Sequence, residues 1–179
     1  MASTIEKTTL AGGCFWCIEA AFNSLQGILS AESGYMGGHT DSPTYKMVCE
    51  GNSGHAEVVQ LTYDSDIISF REILEIFFTL HDPTQLNRQG NDVGTQYRSA
   101  IFYHNEEQRE IASNIIKELT DSAAFSAPIV TEITPLSSFF SGEEYHQDYF
   151  NNNPENQYCQ AVVSPKLAKF RKTFVEKLK

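Results

Sequence analysis

The ten residues at 10–19, LAGGCFWCIE, constrain the chain more than any other stretch. Gly12 and Gly13 free the backbone for a tight turn or for close approach of a ligand, and a helix-compatible run through Ala20, Ala21 and Leu25 follows. A strand ends here and a helix begins. Cys14 falls at or just before the first helical turn, where unpaired N–H groups and partial positive charge favour a thiolate over a thiol. Cys14 is therefore the leading nucleophile candidate. The local pattern leaves other readings open: small side chains filling a core, half of a structural zinc site, or a thioredoxin-like dithiol on Cys14 and Cys17. The zinc reading lacks a second Cys-x-x-Cys knuckle, because Cys49 and Cys159 are isolated. The dithiol reading has the right spacing. Phe15 and Trp16, however, are bulky for a site that must press against many disulfides, and suit a pocket for a small apolar group.

At 179 residues the chain can build one well-formed core, and without a linker-like stretch a single domain over 1–179 is expected. The 13 basic residues against 23 acidic ones leave a formal charge of -10, which disfavours nucleic acid and anionic membrane as partners. Only 166–179 concentrates basic residues, and there they alternate with an apolar stripe. No run approaches the length of a membrane span and no secretory pattern opens the chain, so a cytoplasmic location is expected. Four irregularly spaced cysteines do not resemble a disulfide framework. No metal or cofactor is expected, and nothing apolar and unbroken argues for an obligate dimer, so a monomer is expected.

Strands are predicted over 4–10, 28–35, 55–63, 99–103 and 128–133, and helices over 15–26, 106–119 and from 164 onward. Ser69 with Glu72 forms a capping box for a helix carrying Phe70, Ile73, Leu74, Phe77 and Leu80 along one side. A second capping box, Ser141 with Glu144, predicts a helix that places Tyr145 and Tyr149 on one face with His146 beside them. The polar stretch 81–96 reads as a long loop of functional type, with Asp92 and Tyr97 as its notable titratable groups. The stretch 45–54 is hard to type, and Cys49 within it reads as a buried structural cysteine. From its strand alone, Glu57 reads as facing solvent, because a buried carboxylate is costly unless held for a purpose. Cys159 follows an irregular, asparagine-rich tail at 151–158, from which a mobile thiol could reach Cys14. These elements together predict an α/β two-layer domain.

Four separated segments resemble one family: GCFWC at 13–17, PTYKMVCEGNSGHAEVV at 43–59, QGNDVGTQYRSAIF at 89–102 and EEYHQDYF at 143–150. In that order they are similar to the A type of methionine sulfoxide reductase, the peptide-methionine (S)-S-oxide reductases, over nearly the whole chain. The resemblance implies a mixed sheet with a ferredoxin-like βαβ core wrapped by coil. It implies that Cys14 is the catalytic cysteine and Glu57 the active-site glutamate, and that Tyr45 and Tyr97 are the tyrosines around the sulfoxide oxygen. Phe15 and Trp16 would receive the substrate S-methyl group, Asp92 and His146 would line or support the pocket, and Tyr149 would form a wall. Cys159 aligns with the recycling cysteine. Cys17 departs from the glycine that many members carry there, leaving it a spectator, an alternative resolving thiol or a relay to Cys159.

The implied activity is reduction of the S epimer of methionine sulfoxide, free or in proteins, with thioredoxin as reductant. A sulfoxide sulfur is a poor electrophile until its oxygen receives a proton or hydrogen bond, so such a site must pair a soft nucleophile with a donor. Cys14 would become a sulfenic acid and then a disulfide, reduced by thiol exchange. Two other classes compete: a thioredoxin-like thiol-disulfide exchanger needs Cys17 but not Glu57, and a non-catalytic binder of methionine-rich proteins tolerates loss of Cys14.

Overall fold

The computed structural model describes all residues except 1–3, 52, 91, 154, 158 and 179. The expected irregular tail at 151–158 and the motif residues at 52 and 91 fall partly outside the described residues. In chain order the elements are β1 (Ile5–Ala11), α1 (Phe15–Asn23), β2 (Ile28–Met36), α2 (Tyr45–Cys49), β3 (Ala56–Asp64), α3 (Phe70–Leu80), β4 (Arg88–Gln89), β5 (Asp92–Val93), β6 (Ala100–Tyr103), α4 (Glu106–Asp121), β7 (Glu132–Pro135), β8 (Phe140–Ser141), α5 (Tyr149–Asn152) and α6 (Ser164–Thr173).

A six-stranded sheet in the order β7-β6-β1-β3-β2-β8 carries the architecture, and every pairing is antiparallel except the parallel β6–β7. Within it, β6-β1-β3-β2 with α1 after β1 and α3 after β3 is the ferredoxin-like βαββαβ arrangement. Strand β3 lies between β1 and β2, and alternation along it sends Glu57, Val59, Leu61 and Tyr63 to one face. The last three join Leu10, Phe15, Phe22, Phe77, Leu167 and Phe170 in the main core, so α1, α3 and α6 cover that face. The opposite face is closed by a smaller cluster of Ala11, Met36, Val58 and Phe102, with Phe139 against it.

The Ser69 capping box forms as the sequence predicts, with Ser69 Oγ accepting from Glu72 N–H and the Glu72 carboxylate accepting in return. The predicted box at Ser141 does not form. Ser141 is paired in β8 and its hydroxyl donates to Glu32 instead, while Asp148, in the left-handed region at φ 54, breaks the segment into a 3-10 turn (Glu144–His146) and α5. Tyr145 and Tyr149 thus share no helix face. The loop expected at 81–96 contains the β4–β5 hairpin, and the strand expected at 128–133 begins only at Glu132. Ser164 does not cap α6, because the chain enters that helix already coiled, through a π turn at Cys159–Val163.

Glu19 is a buried carboxylate on α1 that the sequence reading passed over; its Oε1 accepts the backbone N–H of Asp148 and so ties the 144–152 segment to α1. Burial pushes it up to about 7, outweighing that hydrogen bond. Between its ordinary value near 4.5 and about 7 the folded protein holds a proton that the unfolded chain has lost, so stability falls as pH rises through that window. Urea melts at pH 5 and pH 8 are expected to show Glu19→Gln lacking about 2 to 3 kcal/mol of the wild type's loss. An identical loss in both proteins would mean that Glu19 ionises freely.

Candidate active site

Gly13 turns the chain out of β1 at φ +88, and a Cβ there would lie 2.8 Å from Gln89 Cγ, so the turn between strand and helix requires glycine. Cys14 follows as the N-cap of α1 and offers no side-chain cap. The capping role passes to Glu57, across the sheet, whose Oε1 accepts the Phe15 N–H at 3.2 Å. Its Oε2 is buried and has no hydrogen-bond partner among the described residues. Glu57 itself is 1% exposed. This overturns the solvent-facing reading of its strand: Glu57 is in alternation with Val59, Leu61 and Tyr63, all on the core face.

Burial raises the Glu57 carboxyl to about 8 against the opposing hydrogen bond from Phe15, with the charges of Asp92 and Cys17 pushing the same way. Near neutral pH it is an acid with a proton to give. Around it stand two phenols. Burial raises both Tyr45 and Tyr97, and the nearby Glu57 charge adds to it, so both remain hydroxyl donors.

The helix-end argument anticipated a thiolate at Cys14, and the Trp16 backbone N–H does reach its sulfur. Burial, a hydrogen bond to Cys17 and the negative charge of Glu57 outweigh it, holding Cys14 as a thiol. Cys17, 8% exposed on the first turn, moves the other way: the hydrogen bond from Cys14 lowers it against burial, and the charge of Lys166 helps. The two thiols are thus a bonded pair. Cys159 is fully buried behind them, where burial raises its thiol and Cys17 is the neighbour whose charge it feels.

Cys14, Trp16, Tyr45, Asp92, Tyr97 and Asn156 line a cavity of about 230 Å³. Trp16 is its fixed wall: its ring stacks on Tyr149 at 3.8 Å and 8°, and its Nε1 donates to His146 Nδ1 at 3.1 Å. His146 is a buried support, packed 4.3 Å from the Tyr45 ring and lying behind the lining. Phe15 also sits behind, fully buried and stacked near Tyr45 at 6.4 Å, so of the two aromatics expected to receive the substrate only Trp16 reaches the cavity. Tyr149 acts through Trp16.

Cys49, expected to be buried, is exposed at the end of α2, with its thiol against the hydroxyls of Tyr45 and Tyr97. The short helix α2 turns Val48 and part of Tyr45 inward and leaves its other residues, Cys49 among them, facing solvent. Two contributors went unnoticed in the sequence. Glu143 accepts from the Tyr35 hydroxyl at 2.9 Å, the Tyr145 hydroxyl at 3.0 Å and the Tyr45 N–H at 3.1 Å, fixing the start of α2. Although burial works against it, these bonds hold its carboxyl below the usual range. Asn156 lines the cavity from the C-terminal segment. No local pattern distinguishes it from the neighbouring asparagines. Among the described residues no cluster of potential ligands is suited to a metal ion.

A soft nucleophile, a buried acid and two phenols around a small cavity with an indole wall can protonate and attack a small polarised group. The chain's relatives carry that chemistry in their names. The family model described as peptide methionine sulfoxide reductase matches residues 6–178. A peptide methionine sulfoxide reductase MsrA from Natronomonas pharaonis is 55% identical over 170 residues, covering 95% of this chain and 96% of that protein. The crystal structure of reduced Mxr1 from Saccharomyces cerevisiae superposes with TM-score 0.80 at 38% identity, covering 87% of this chain and 90% of that one. Mxr1 in complex with Trx2 matches with TM-score 0.57 at 25% identity, over 83% and 89% of the two chains. With the family signature extending from β1 to the C-terminal residues and both sequence and fold in agreement, the chain belongs to the peptide methionine sulfoxide reductases, and within them to the A type.

Proposed function

We propose that this enzyme reduces the S epimer of methionine sulfoxide, free or within a polypeptide, and that a thioredoxin-type dithiol returns it to the thiol state. The observation that carries this reading is the unpartnered, buried Oε2 of a Glu57 carboxyl held up to about 8, in the same site as Cys14. In the first half-reaction Glu57 gives its proton to the sulfoxide oxygen, with the Tyr45 and Tyr97 hydroxyls donating hydrogen bonds to it. Cys14, held by its hydrogen bond with Cys17, attacks the sulfur as its own proton passes to the carboxylate that Glu57 has just become. The oxygen then passes from the substrate sulfur to the Cys14 sulfur as the substrate S–O bond and the new S–S bond of the adduct break, so methionine leaves and Cys14 is left as a sulfenic acid. A thiol-disulfide exchanger has no use for a buried acid, so Glu57 favours the sulfoxide reading over that runner-up.

For recycling, Cys17 is assigned first and Cys159 second, reversing the order of preference that resemblance alone supports. Cys17 attacks the Cys14 sulfenic sulfur; an S–S bond forms, the S–O bond breaks, and the hydroxide leaves as water with a proton from the Glu57 carboxyl, which the Cys17 proton replaces. Cys159 then attacks Cys17, freeing Cys14. Trx2 has been crystallised with the related Mxr1, which fits a thioredoxin as the final reductant. Four free cysteines fit a reducing, cytoplasmic setting, and a monomer is the working form.

The test is turnover of the separate S and R epimers of a blocked methionine sulfoxide with dithiothreitol or thioredoxin. Only the S epimer is expected to react. Cys17→Ser is expected to remove formation of the disulfide after one turnover, whereas Cys159→Ser still forms a Cys14–Cys17 disulfide but loses most thioredoxin-driven turnover. Rapid Cys14–Cys159 disulfide formation in Cys17→Ser would return the first resolving role to Cys159.

A further inference from the structure

Cys159 is 0% exposed, so no protein dithiol can reach its sulfur while the turn that carries it stays closed. One side chain holds that turn and the substrate cavity together. Asn156 Oδ1 accepts the Cys159 N–H at 3.2 Å, and Asn156 Nδ2 donates to the Tyr149 hydroxyl at 3.1 Å. Tyr149 is the ring on which Trp16 stacks, and the half-buried Asn156 is itself part of the cavity lining. The amide therefore has one end on the backbone N–H of the recycling cysteine and the other on the substrate wall.

We propose that Asn156 is a positioning residue that makes substrate binding and exposure of Cys159 mutually exclusive: closed, it braces the Tyr149–Trp16 wall, and when Cys159 comes out it is withdrawn from the cavity. The inference rests on the relay reading, in which Cys159 is the thiol presented to the reductant. In that exchange the Cys159 sulfur attacks Cys17 of the Cys14–Cys17 disulfide, a Cys17–Cys159 bond forms, and Cys14 leaves as a thiolate that takes up the Cys159 proton. Cys159 cannot be drawn out for attack by a second protein without breaking the Asn156 bond to its N–H. The cavity then loses one lining residue and the anchor of another. Reductant access then follows product release and never overlaps with substrate binding, and an enzyme whose Cys159 is exposed does not hold fresh sulfoxide.

Because coupling between two events is reciprocal, bound sulfoxide must in turn shield Cys159. The experiment follows alkylation of Cys159 by iodoacetamide, read on its own peptide by mass spectrometry, in full-length Cys14→Ser protein, where the substrate binds without turning over. Saturating blocked S-sulfoxide is expected to slow the labelling at least about fivefold. Asn156→Ala on the same background is expected to label faster without ligand and to keep less than about a twofold effect of the sulfoxide. Asn156→Asp, which retains an acceptor for the Cys159 N–H and offers Tyr149 an acceptor for its hydroxyl, restores the shielding. Full shielding in Asn156→Ala overturns the proposal, as does an absence of shielding in the parent when the same sulfoxide demonstrably occupies the site. The relay has its own readout: if Cys159→Ser turns over normally with thioredoxin, the assignment of Cys159 fails, whatever the labelling shows.

Discussion

Cys14→Ser is expected to lose S-sulfoxide reduction by a factor on the order of 10⁴ or more, with dithiothreitol as well as with thioredoxin. The size of the loss follows from what the serine hydroxyl lacks. It is a far weaker acid than a thiol and a poor nucleophile toward sulfur, and among the described residues that line its cavity there is no imidazole to accept its proton; His146 lies behind that lining, its Nδ1 accepting from the Trp16 indole N–H. The titratable neighbours of Cys14 are the Cys17 thiol and the Glu57 carboxyl, and neither is base enough to ionise an alcohol. The loss must appear in the first turnover, before any reductant is needed, and this separates it from every recycling defect. A burst of one methionine per enzyme in Cys14→Ser would place the nucleophile elsewhere, and Cys17 would be the next thiol to test.

The nucleophile was legible in the sequence because its context is local. Two glycines, a thiol and a helix start lie within ten residues, and the structure sets Cys14 at the N-cap as that spacing implies. The acid was harder. Its strand was recognised, but the energetic cost of burial weighed against the correct face, although Val59, Leu61 and Tyr63 already fix the alternation that puts Glu57 inward. What compensates Glu57 is not in its own strand: it is the end of a helix forty-two residues earlier in the chain, joined through Phe15. A carboxylate that caps a helix across a sheet leaves no mark on neighbouring residues. The same distance effect hid Glu143 and Asn156. Their partners lie on α2, α5 and the Cys159 turn, and no periodicity connects them. The segment at 143–150 failed for a different reason. Ser141 and Glu144 have capping-box spacing, yet sheet pairing claimed Ser141 first and a tertiary hydrogen bond to Glu32 took its hydroxyl.

Glu57→Gln tests the acid itself, and the expected fall in the single-turnover rate is about 10² to 10⁴. Glutamine keeps the geometry: its Oε1 can still accept the Phe15 N–H, and its amide can still offer a hydrogen bond to a sulfoxide oxygen. What it lacks is a proton to transfer. The pH profile gives the sharper signature. A carboxyl held up to about 8 is protonated and competent below that pH and loses its proton as pH rises through it, so the wild-type rate should decline across pH 8. In Glu57→Gln that limb should vanish. Stability should move the opposite way. Between the ordinary value near 4.5 and about 8 the folded wild type retains a proton that the unfolded chain releases, which makes folding progressively less favourable as pH rises. Removing the group removes that cost, so the variant should resist urea better than wild type at pH 8.5 while turning over far more slowly, the pattern expected when a protein maintains a buried acid for chemistry. If the rate falls less than about threefold and the limb near pH 8 persists, proton delivery belongs to another group, and the phenols of Tyr45 and Tyr97 become the ones to remove.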